Sequence, residues 1–353
     1  MAIRILITDD SVFMRSAIGR MLEGQPDFEI VGKARHGLEA IELAKQLQPD
    51  VITLDIEMPQ MDGLTALRRI MREAPTRVLM CSTLTTQGSR QSLQALRLGA
   101  ADVIPKETST DAAARERFFD DLIVRIRALG EHPHPDRQTG VAAPPPAAAT
   151  PGRGVAVKAS EFDLLCIASS TGGPPVLETI VASLPSDLAI PVVIAQHMPR
   201  IFTESMSRRL DEVCPLPVVH AEDRQQIEAG TVYIAPGGSH THLERRGSQL
   251  RLRIGPDPVD ALYMPSADVL FETAAKAVGK RTLAVILTGI GSDGVIGAEK
   301  LHRCGAPIYA QEKRSCVVYG MPKAVTEAGF ATASLTPDQI AEMFGKLTQR
   351  AAA

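Results

Sequence analysis

The stretch Ile3–Arg15, IRILITDDSVFMR, is the part of the sequence that says most about the fold. Its first half, Ile3–Thr8, is apolar on both faces of an extended chain, which is typical of a buried parallel strand. Asp9 and Asp10 follow, and from Val12 to Leu22 apolar residues recur at the spacing of a helix. A buried strand that leads through two acids into a helix predicts the beginning of an α/β domain.

The same alternation continues through the N-terminal part of the chain. Further strands are predicted at Glu29–Ala34, Val51–Asp55, Val78–Ser82 and Ala101–Pro105. Helical patterns are found at Gly37–Leu47, Leu64–Arg72, Ser89–Leu98 and Ala112–Leu129. Strands and helices that alternate at this spacing predict a doubly wound, flavodoxin-like parallel sheet with helices on both faces.

A segment of different composition then interrupts the pattern. Residues 131–158, EHPHPDRQTGVAAPPPAAATPGRGVAVK, are rich in Pro, Ala and Gly and contain few large apolar side chains. Such a segment buries too little surface to offset the entropy lost on ordering. We therefore predict a first domain over residues 1–128, a Pro/Ala-rich linker over residues 129–158 and a second domain over residues 159–350.

The second part of the chain also alternates between strands and helices. Strands are predicted at Leu164–Ser169, Val192–Gln196, Val232–Ala235, Leu250–Ile254, Leu283–Thr288 and Pro307–Ala310. Helices are predicted at Pro174–Ser183, Phe202–Val213, Ser266–Ala277, Val295–Arg303, Pro322–Ala328 and Pro337–Leu347. This order predicts a second doubly wound parallel sheet, Rossmann-like in class.

The composition is that of an ordinary folded protein with little net charge. Apolar residues make up 44 % of the chain, and 38 Lys and Arg nearly balance 41 Asp and Glu. This balance argues against attachment to nucleic acid or an anionic membrane by bulk charge. The five cysteines are far apart, no apolar run is long enough to span a membrane, and MAIRILITDD is unlike a signal peptide. We therefore expect a cytoplasmic protein.

In the first domain, chemistry-bearing side chains follow the predicted strands. They are Asp9, Asp10, Asp55, Ser82 and Lys106. The carboxyl ends of parallel strands share one edge of the sheet, so we expect these side chains to meet there. Three carboxylates in one place suit Mg²⁺, and a lysine and a hydroxyl beside them suit a phosphoryl group on Asp55. Taken one by one, such residues are commonly helix caps or loop residues.

These residues lie in motifs that resemble the receiver domain of response regulators. The motifs are ITDDSVFMR, LDIEMPQMDGL and GAADVIPK, and the resemblance covers about 125 residues. It implies that Asp55 is the phosphoacceptor, that Asp9 and Asp10 bind Mg²⁺ with it, and that Ser82 and Lys106 are the switch hydroxyl and the phosphoryl-contacting lysine. Two positions depart from the pattern: Glu107 replaces the common proline, and Val103 replaces an aromatic residue.

In the second domain, a serine, a histidine and an aspartate follow three predicted strands. Ser170 lies in CIASSTGGPP, His197 in VVIAQHMP and Asp293 in AVILTGIGSDG. Serine–histidine–aspartate arrangements recur on unrelated folds in different chain orders, so this order is compatible with a nucleophile, a base and an orienting acid. The serine loop by itself is equally compatible with an anion-binding loop or a helix cap. His240 and His242 lack a third ligand at metal spacing and are interpreted as ordinary histidines.

The second domain resembles the catalytic domain of the chemotaxis protein-glutamate methylesterases, the CheB-type response regulators. The motifs that carry this resemblance are SSTGGPP, QHMP, YIAPGGSH, LTGIGSDG and GMPKAV. It implies that Ser170, His197 and Asp293 form the catalytic triad and that the backbone near Thr171 and Ile290 forms the oxyanion site. The family usually has Ala at position 169 and Met at position 290. Ser169 therefore places two hydroxyls side by side, and Ser170 is assigned from its register with TGG.

The resemblance implies an esterase that removes methyl groups from glutamates of chemoreceptors and also deamidates glutamines. It implies regulation by a chemotaxis histidine kinase, Mg²⁺ in the receiver and no cofactor in the esterase. Three alternatives remain at this stage: a DNA-binding transcriptional regulator, a non-catalytic module gated by phosphorylation, and a paralogue that serves another chemosensory array. The first is disfavoured because no helix-turn-helix module or basic face is evident.

Overall fold

The computed structural model describes residues 2–83, 85–106, 111–131, 159–259 and 261–347. The chain divides into two compact units, Met1–Ala148 and Ala149–Ala353. Most of the predicted linker and Glu107 lie outside the described residues. Within the described ranges, no helix is both long and apolar enough to cross a membrane.

The first unit contains a five-stranded parallel sheet in the order β2–β1–β3–β4–β5. Its strands are β1 (Ile3–Thr8), β2 (Phe28–Ala34), β3 (Val51–Asp55), β4 (Arg77–Ser82) and β5 (Asp102–Pro105). Its helices are α1 (Val12–Glu23), α2 (Gly37–Leu47), α3 (Gly63–Glu73), α4 (Thr86–Arg97) and α5 (Ala112–Gly130). This is the flavodoxin-like strand order, which confirms the predicted fold class. The order reverses between β1 and β3, where ligands of such sheets gather.

The second unit contains a seven-stranded parallel sheet in the order β14–β13–β12–β6–β7–β9–β8. Its strands are β6 (Leu164–Ser169), β7 (Val192–Gln196), β8 (Val218–His220), β9 (Val232–Ile234), β12 (Thr282–Ile286), β13 (Ile308–Gln311) and β14 (Ala333–Leu335). Its helices are α6 (Gly173–Val181), α7 (Arg200–Asp211), α8 (Ala267–Ala277), α9 (Val295–Arg303), α10 (Met321–Glu327) and α11 (Pro337–Gly345). The predicted parallel α/β class is again confirmed.

One predicted strand has a different partner from that expected. Leu250–Ile254 lies in β11 (Gln249–Gly255), which pairs antiparallel with β10 (His240–Arg246) outside the seven-stranded sheet. Gly247 has φ +61 in the tight turn between them, which permits a hairpin. The hairpin is attached to α8, where the Leu243 N–H donates to Thr273 Oγ1 at 3.1 Å. The alternation of α and β elements is therefore interrupted by a hairpin.

The central strands of the second sheet determine where its functional residues meet. β6 lies between β12 and β7, and all three run parallel. The chain passes from β6 to β7 on one side and returns later to β12 on the other side of β6, so a crevice opens at the carboxyl ends of these strands. The residues that follow β6, β7 and β12 therefore border one crevice, and these are the segments that contain Ser170, His197 and Asp293.

Candidate catalytic and phosphoacceptor sites

Ser170 lies in a tight turn between β6 and α6. Its N–H donates to the Thr288 carbonyl at 3.0 Å, which ties the turn to the end of β12. Its carbonyl accepts from the Gly173 N–H at 2.8 Å as α6 begins. Gly172 has φ +78, and a Cβ there would lie 2.5 Å from the Val317 side chain. The turn needs glycine at this position both for its backbone conformation and for space.

Gly172→Ala is therefore expected to lower the free energy of unfolding of the second unit by about 2–4 kcal/mol, through a strained φ and overpacking against Val317. Gly247→Ala is the matched control, because Gly247 also has positive φ but no atom lies within 4 Å of the added Cβ. Gly247→Ala should lower the free energy of unfolding only by the cost of the positive φ, about 1–2 kcal/mol. Chemical denaturation measures the free energy of unfolding of both variants. Equal losses in the two would contradict the role of the contact with Val317.

The two adjacent serines have different surroundings. Ser169 is fully buried, and its hydroxyl donates to Gln196 Oε1. The amide of Gln196 in turn donates to the Ser170 carbonyl at 3.0 Å. Within the described residues, Ser170 Oγ makes no hydrogen bond. Ser169 is thus held as a structural group, whereas the Ser170 hydroxyl is available to another partner.

His197 follows β7 and is held on two sides. Its backbone N–H donates to the Ser169 carbonyl at 3.0 Å. Its Nε2 lies 2.8 Å from Asp293 Oδ2. Its Nδ1 is buried and has no hydrogen-bond partner in the described part of the chain. The ring of Tyr263 stacks on the imidazole at a centroid distance of 4.3 Å and an interplanar angle of 7°.

Asp293 lies against the N-terminus of α8. Its Oδ1 accepts from Ser266 Oγ at 2.9 Å and from the Asp268 N–H at 3.1 Å, and its Oδ2 accepts from the Ala267 N–H at 2.6 Å. Burial opposes ionisation, but the hydrogen bond from His197 and these N–H donors hold the pKa of Asp293 below its usual range. The carboxylate is therefore ionised and directed at the imidazole.

Two of the residues that surround the triad were not predicted from the sequence. Ser266 directly precedes α8 and is its N-cap, a role that the sequence indicates, but its bond to Asp293 joins residues 27 positions apart. Tyr263 extends from His197 toward the turn after β12. A Cβ placed on Gly291 of that turn would lie 3.3 Å from the Tyr263 hydroxyl. No local pattern identifies a stacking partner for a histidine 66 positions away.

The predicted oxyanion residues border Ser170. Thr171 and Ile290 are both buried. A Cβ placed on Gly289 would lie 2.7 Å from Ser170 Cβ, so the turn containing Ile290 passes directly against the serine. The Gly289 N–H donates to the Val318 carbonyl at 3.0 Å, which fixes this turn. The position of the turn is compatible with an oxyanion site, and that role stays a prediction.

His240 and His242 are buried members of β10 and bond backbone groups rather than the side chains of the triad. His240 Nε2 is 3.1 Å from the Pro258 carbonyl, and His242 Nε2 is 2.8 Å from the Asp257 carbonyl. The Ser266 N–H approaches His240 Nδ1 at 3.3 Å. Both rings hold the segment that follows β11, as expected for ordinary histidines.

The first unit brings the three predicted acids together. Ligand oxygens of Asp9, Asp10 and Asp55 all lie within 4.8 Å of one another. Asp9 and Asp55 are buried, whereas Asp10 is exposed. Burial raises the pKa of Asp55 to about 6 against the opposing effect of Lys106, and the charge of Asp9 adds to the rise. A group of hard oxygen donors whose negative charge is only partly balanced by Lys106 fits a divalent cation such as Mg²⁺.

Lys106 and Ser82 occupy the same edge of the sheet. Lys106 Nζ lies 2.7 Å from Asp9 Oδ2 and 2.7 Å from Asp55 Oδ2. Burial opposes the charge of Lys106, but the two carboxylates raise its pKa above the usual value, so the ammonium is retained. Ser82 ends β4, and its buried hydroxyl donates to the Gly88 carbonyl at 3.2 Å at the start of α4.

Comparison with known proteins identifies relatives over nearly the whole chain. The family described as CheB methylesterase matches residues 165–344, and the family described as response regulator receiver domain matches residues 5–115. A protein-glutamate methylesterase/protein-glutamine glutaminase 1 of Oleidesulfovibrio alaskensis is 42 % identical over 360 residues, covering 96 % of this chain and 98 % of the relative. A protein of the same kind from Nitratidesulfovibrio vulgaris is 43 % identical over 363 residues, covering 96 % and 97 %.

The fold of the second unit has a counterpart among solved structures. The crystal structure of the Thermotoga maritima CheB methylesterase catalytic domain is similar with a TM-score of 0.50 and 38 % sequence identity. The match covers 52 % of this chain and 98 % of that domain. The chain therefore belongs to the CheB methylesterase family and has a response regulator receiver domain in its N-terminal part.

Proposed function

We propose that this chain is a phosphorylation-regulated protein-glutamate methylesterase that hydrolyses glutamate methyl esters on chemoreceptors and also deamidates glutamine side chains. The relatives at 42 % and 43 % identity bear the names of both activities. The observation that carries the proposal is the arrangement of Ser170, His197 and Asp293 at the carboxyl ends of β6, β7 and β12, with His197 bonded to Asp293 at 2.8 Å.

The two nitrogens of His197 take different roles in this proposal. The ionised Asp293 accepts the proton on Nε2, which selects the neutral tautomer whose lone pair is on Nδ1. Nδ1 has no other partner in the described residues and is therefore the nitrogen that receives the Ser170 proton. Tyr263 stacks on one face of the ring and keeps its plane in line with Asp293.

The reaction proceeds in two acyl-transfer steps. Ser170 Oγ attacks the ester carbonyl carbon while its proton moves to His197 Nδ1, and the N–H groups of Thr171 and Ile290 stabilise the oxyanion. The carbon–oxygen bond to the methoxy group then breaks, and His197 gives its proton to the departing methanol. A water molecule, deprotonated by the same nitrogen, releases the acid and restores Ser170. With a glutamine substrate, ammonia leaves in place of methanol.

The proposed phosphoacceptor is Asp55, with Asp9 and Asp10 as the residues that hold Mg²⁺ beside it. When bound, Mg²⁺ supplies positive charge that offsets the charge of the phosphoryl group. Lys106 lies 2.7 Å from Asp55 and is placed to contact a phosphoryl oxygen. Ser82 would leave the Gly88 carbonyl to bond that group, which would couple phosphorylation to the start of α4. The proposed phosphodonor is a chemotaxis histidine kinase.

Methanol release from receptor membranes methylated with a labelled methyl group tests this function. We expect release by the wild-type chain, and an increase when a small phosphodonor and Mg²⁺ are added. Asp55→Asn and removal of Mg²⁺ with a chelator should each abolish the increase while basal release continues, because both act on the first unit. Asp62→Asn, which changes only the cap of α3, is the control and should keep the increase.

Three outcomes would contradict the proposal in different parts. Continued stimulation of Asp55→Asn would show that phosphorylation acts elsewhere. Absence of methanol and ammonia release under every condition would favour the non-catalytic module. Release from receptors of a different chemosensory array, but not from those tested first, would identify the paralogue.

A further inference from the structure

Two peptide groups beside the nucleophile are held by their carbonyl oxygens. The first joins Ser170 to Thr171, and the second joins Gly289 to Ile290. Both are trans, because the cis peptide bonds of the described residues all precede proline. In a trans peptide the N–H points opposite to the carbonyl of the same group. Whatever holds these carbonyls therefore also sets the direction of the two N–H groups that are predicted to form the oxyanion site.

The Ser170 carbonyl is held from inside the protein by two donors. Gln196 Nε2 donates to it at 3.0 Å, and the Gly173 N–H donates to it at 2.8 Å. Gln196 is buried, and its Oε1 accepts from the Ser169 hydroxyl, which turns the NH₂ group of Gln196 toward the carbonyl. The Thr171 N–H therefore points away from this buried amide.

The Gly289 carbonyl is held in a similar way by the residues at the start of α10. The N–H groups of Gly320 and Met321 both donate to it at 3.0 Å. These two residues open the motif GMPKAV, to which the triad gives no role. The Ile290 N–H therefore points away from α10, and it makes no hydrogen bond to the described residues.

Neither peptide can turn over without a large loss of hydrogen bonding. A carbonyl oxygen has two lone pairs, and both are used at Ser170 and at Gly289. Rotation of either group would leave two buried donors without an acceptor, and each such donor is costly. The direction of each N–H is thus fixed before any substrate binds.

The two turns are also joined to each other. Thr288 Oγ1 donates to the Thr171 carbonyl at 2.9 Å and accepts from the Val318 N–H at 3.1 Å. The Gly289 N–H in turn donates to the Val318 carbonyl at 3.0 Å. The two peptides therefore belong to one hydrogen-bonded frame, and their N–H groups keep their directions relative to each other.

We propose that the Gln196 carboxamide and the N–H groups of Gly320 and Met321 are two clamps that aim the N–H groups of Thr171 and Ile290 at the oxyanion of the reaction. This inference rests on the proposed function. Gln196 is a positioning residue, because it acts through the peptide that it holds. Donors that already point at the place where charge develops cost no reorganisation when the ester oxygen becomes negative. The clamps therefore assist the chemical step rather than the binding of the ester.

The Ser169 hydroxyl adds a support that the alanine usual in the family does not offer. The oxygen and the NH₂ group of a carboxamide exchange places by rotation about the last side-chain bond. In one orientation Gln196 donates to the Ser170 carbonyl, and in the other its oxygen would face that carbonyl. The hydrogen bond from Ser169 selects the first orientation.

The first clamp is tested by labelled methanol release from methylated receptor membranes, with the full-length chain, phosphodonor and Mg²⁺. Gln196→Met removes the donor at a similar volume, and Gln196→Glu keeps the shape but replaces the NH₂ group by oxygen. We expect both to lower kcat about 10- to 100-fold with KM within about threefold, since loss of a whole oxyanion donor costs about 10²–10³-fold and Gly173 still holds the carbonyl. Ser169→Ala, which only frees the carboxamide to turn, should lose less than about tenfold.

Gly320→Ala tests the second clamp without changing a residue of the triad. The backbone of Gly320 has φ −101, which alanine also adopts, but the added Cβ would lie 2.6 Å from the Gly289 carbonyl oxygen and 2.8 Å from the Gly291 nitrogen. The carbonyl must shift, so we expect kcat to fall about tenfold or more at unchanged KM. Gln339→Met is the matched control, because Gln339 accepts from the Thr336 N–H at the start of α11, and it should keep both constants.

Two further measurements separate the clamps from a general structural role. Phenylboronic acid forms a tetrahedral adduct with a catalytic serine, and its adduct with Ser170 would place a negative oxygen before the same N–H groups. Its dissociation constant should rise in the Gln196 variants and in Gly320→Ala in proportion to the loss of kcat. The imidazole ¹⁵N chemical shifts of His197 should match those of the wild type, because its bond to Asp293 is unchanged.

Each remaining outcome overturns a defined part of the proposals. Wild-type kcat in Gln196→Glu overturns the first clamp, and wild-type kcat in Gly320→Ala overturns the second, which decides the matter if the Gln196 variants do not fold. A rise in KM alone, or altered His197 shifts, also overturns the clamps, because the residues would then act on binding or on the triad. No methanol release by the wild type overturns the proposed function itself.

Discussion

Ser170→Ala is expected to lower methanol release from methylated receptors by about 10⁴-fold or more, because the alanine has no oxygen to form the acyl-enzyme. The fold should persist, since the hydrogen bonds that place residue 170 come from its backbone N–H and carbonyl. Any activity that remains would come from water attacking an ester held beside the oxyanion site. The measurement is labelled methanol release under saturating phosphodonor.

Ser169→Ala is the matched control for this prediction. Ser169 bonds Gln196, whose amide supports the Ser170 carbonyl, so its loss removes one buried hydrogen bond near the turn. We expect a loss of stability of about 1 kcal/mol and a loss of activity below tenfold. If Ser169→Ala were the inactive variant and Ser170→Ala retained activity, the nucleophile would be assigned to the wrong serine.

Asp293→Asn is expected to lower kcat by about 10³–10⁴-fold, which is the second-largest loss of activity that we predict. The carboxylate of Asp293 accepts from His197 Nε2, Ser266 Oγ and two backbone N–H groups of α8. An asparagine offers one acceptor oxygen, and its NH₂ group would face a donor at either position. The preferred tautomer of His197 would be lost, and Nδ1 would no longer be kept as the base.

Asp268→Asn is the matched control for the orienting acid. Asp268 accepts from the Gly297 N–H at 2.8 Å, and its carboxyl also lies beside Asp293, but no bond joins its side chain to His197. Its replacement should leave kcat within about tenfold of the wild type. Imidazole ¹⁵N chemical shifts report the tautomer directly, and a His197 tautomer unchanged in Asp293→Asn would contradict the role given to this carboxylate.

The sequence alone predicted most of the architecture of both units. Buried parallel strands such as β1 and β6 have continuous apolar runs, and the residues that follow them are polar, so strands and helices separate clearly. Right-handed crossovers limit how such strands can be connected, but the order of the seven strands in the second sheet came from the structure. The same logic predicted that Asp9, Asp10 and Asp55 meet on one edge, and the structure places their oxygens within 4.8 Å.

The antiparallel pairing of β10 and β11 was not predicted from the sequence pattern. Leu250–Ile254 has the composition of a strand, but composition does not distinguish a parallel partner in the sheet from an antiparallel neighbour across a tight turn. Three-residue strands such as β8 and β14 were not predicted, because they lie at the edges of the sheet and have too few residues to show a period.

For the catalytic site, the sequence determined which residue types follow which strands, because the apolar pattern of each strand is local. Only the tertiary structure decided that Gln196 engages Ser169, that Ser266 and the start of α8 hold Asp293, and that Tyr263 covers the imidazole. These contacts join residues 25 to 66 positions apart in the chain. Their existence depends on how strands, loops and helices pack, and packing is a property of the whole domain.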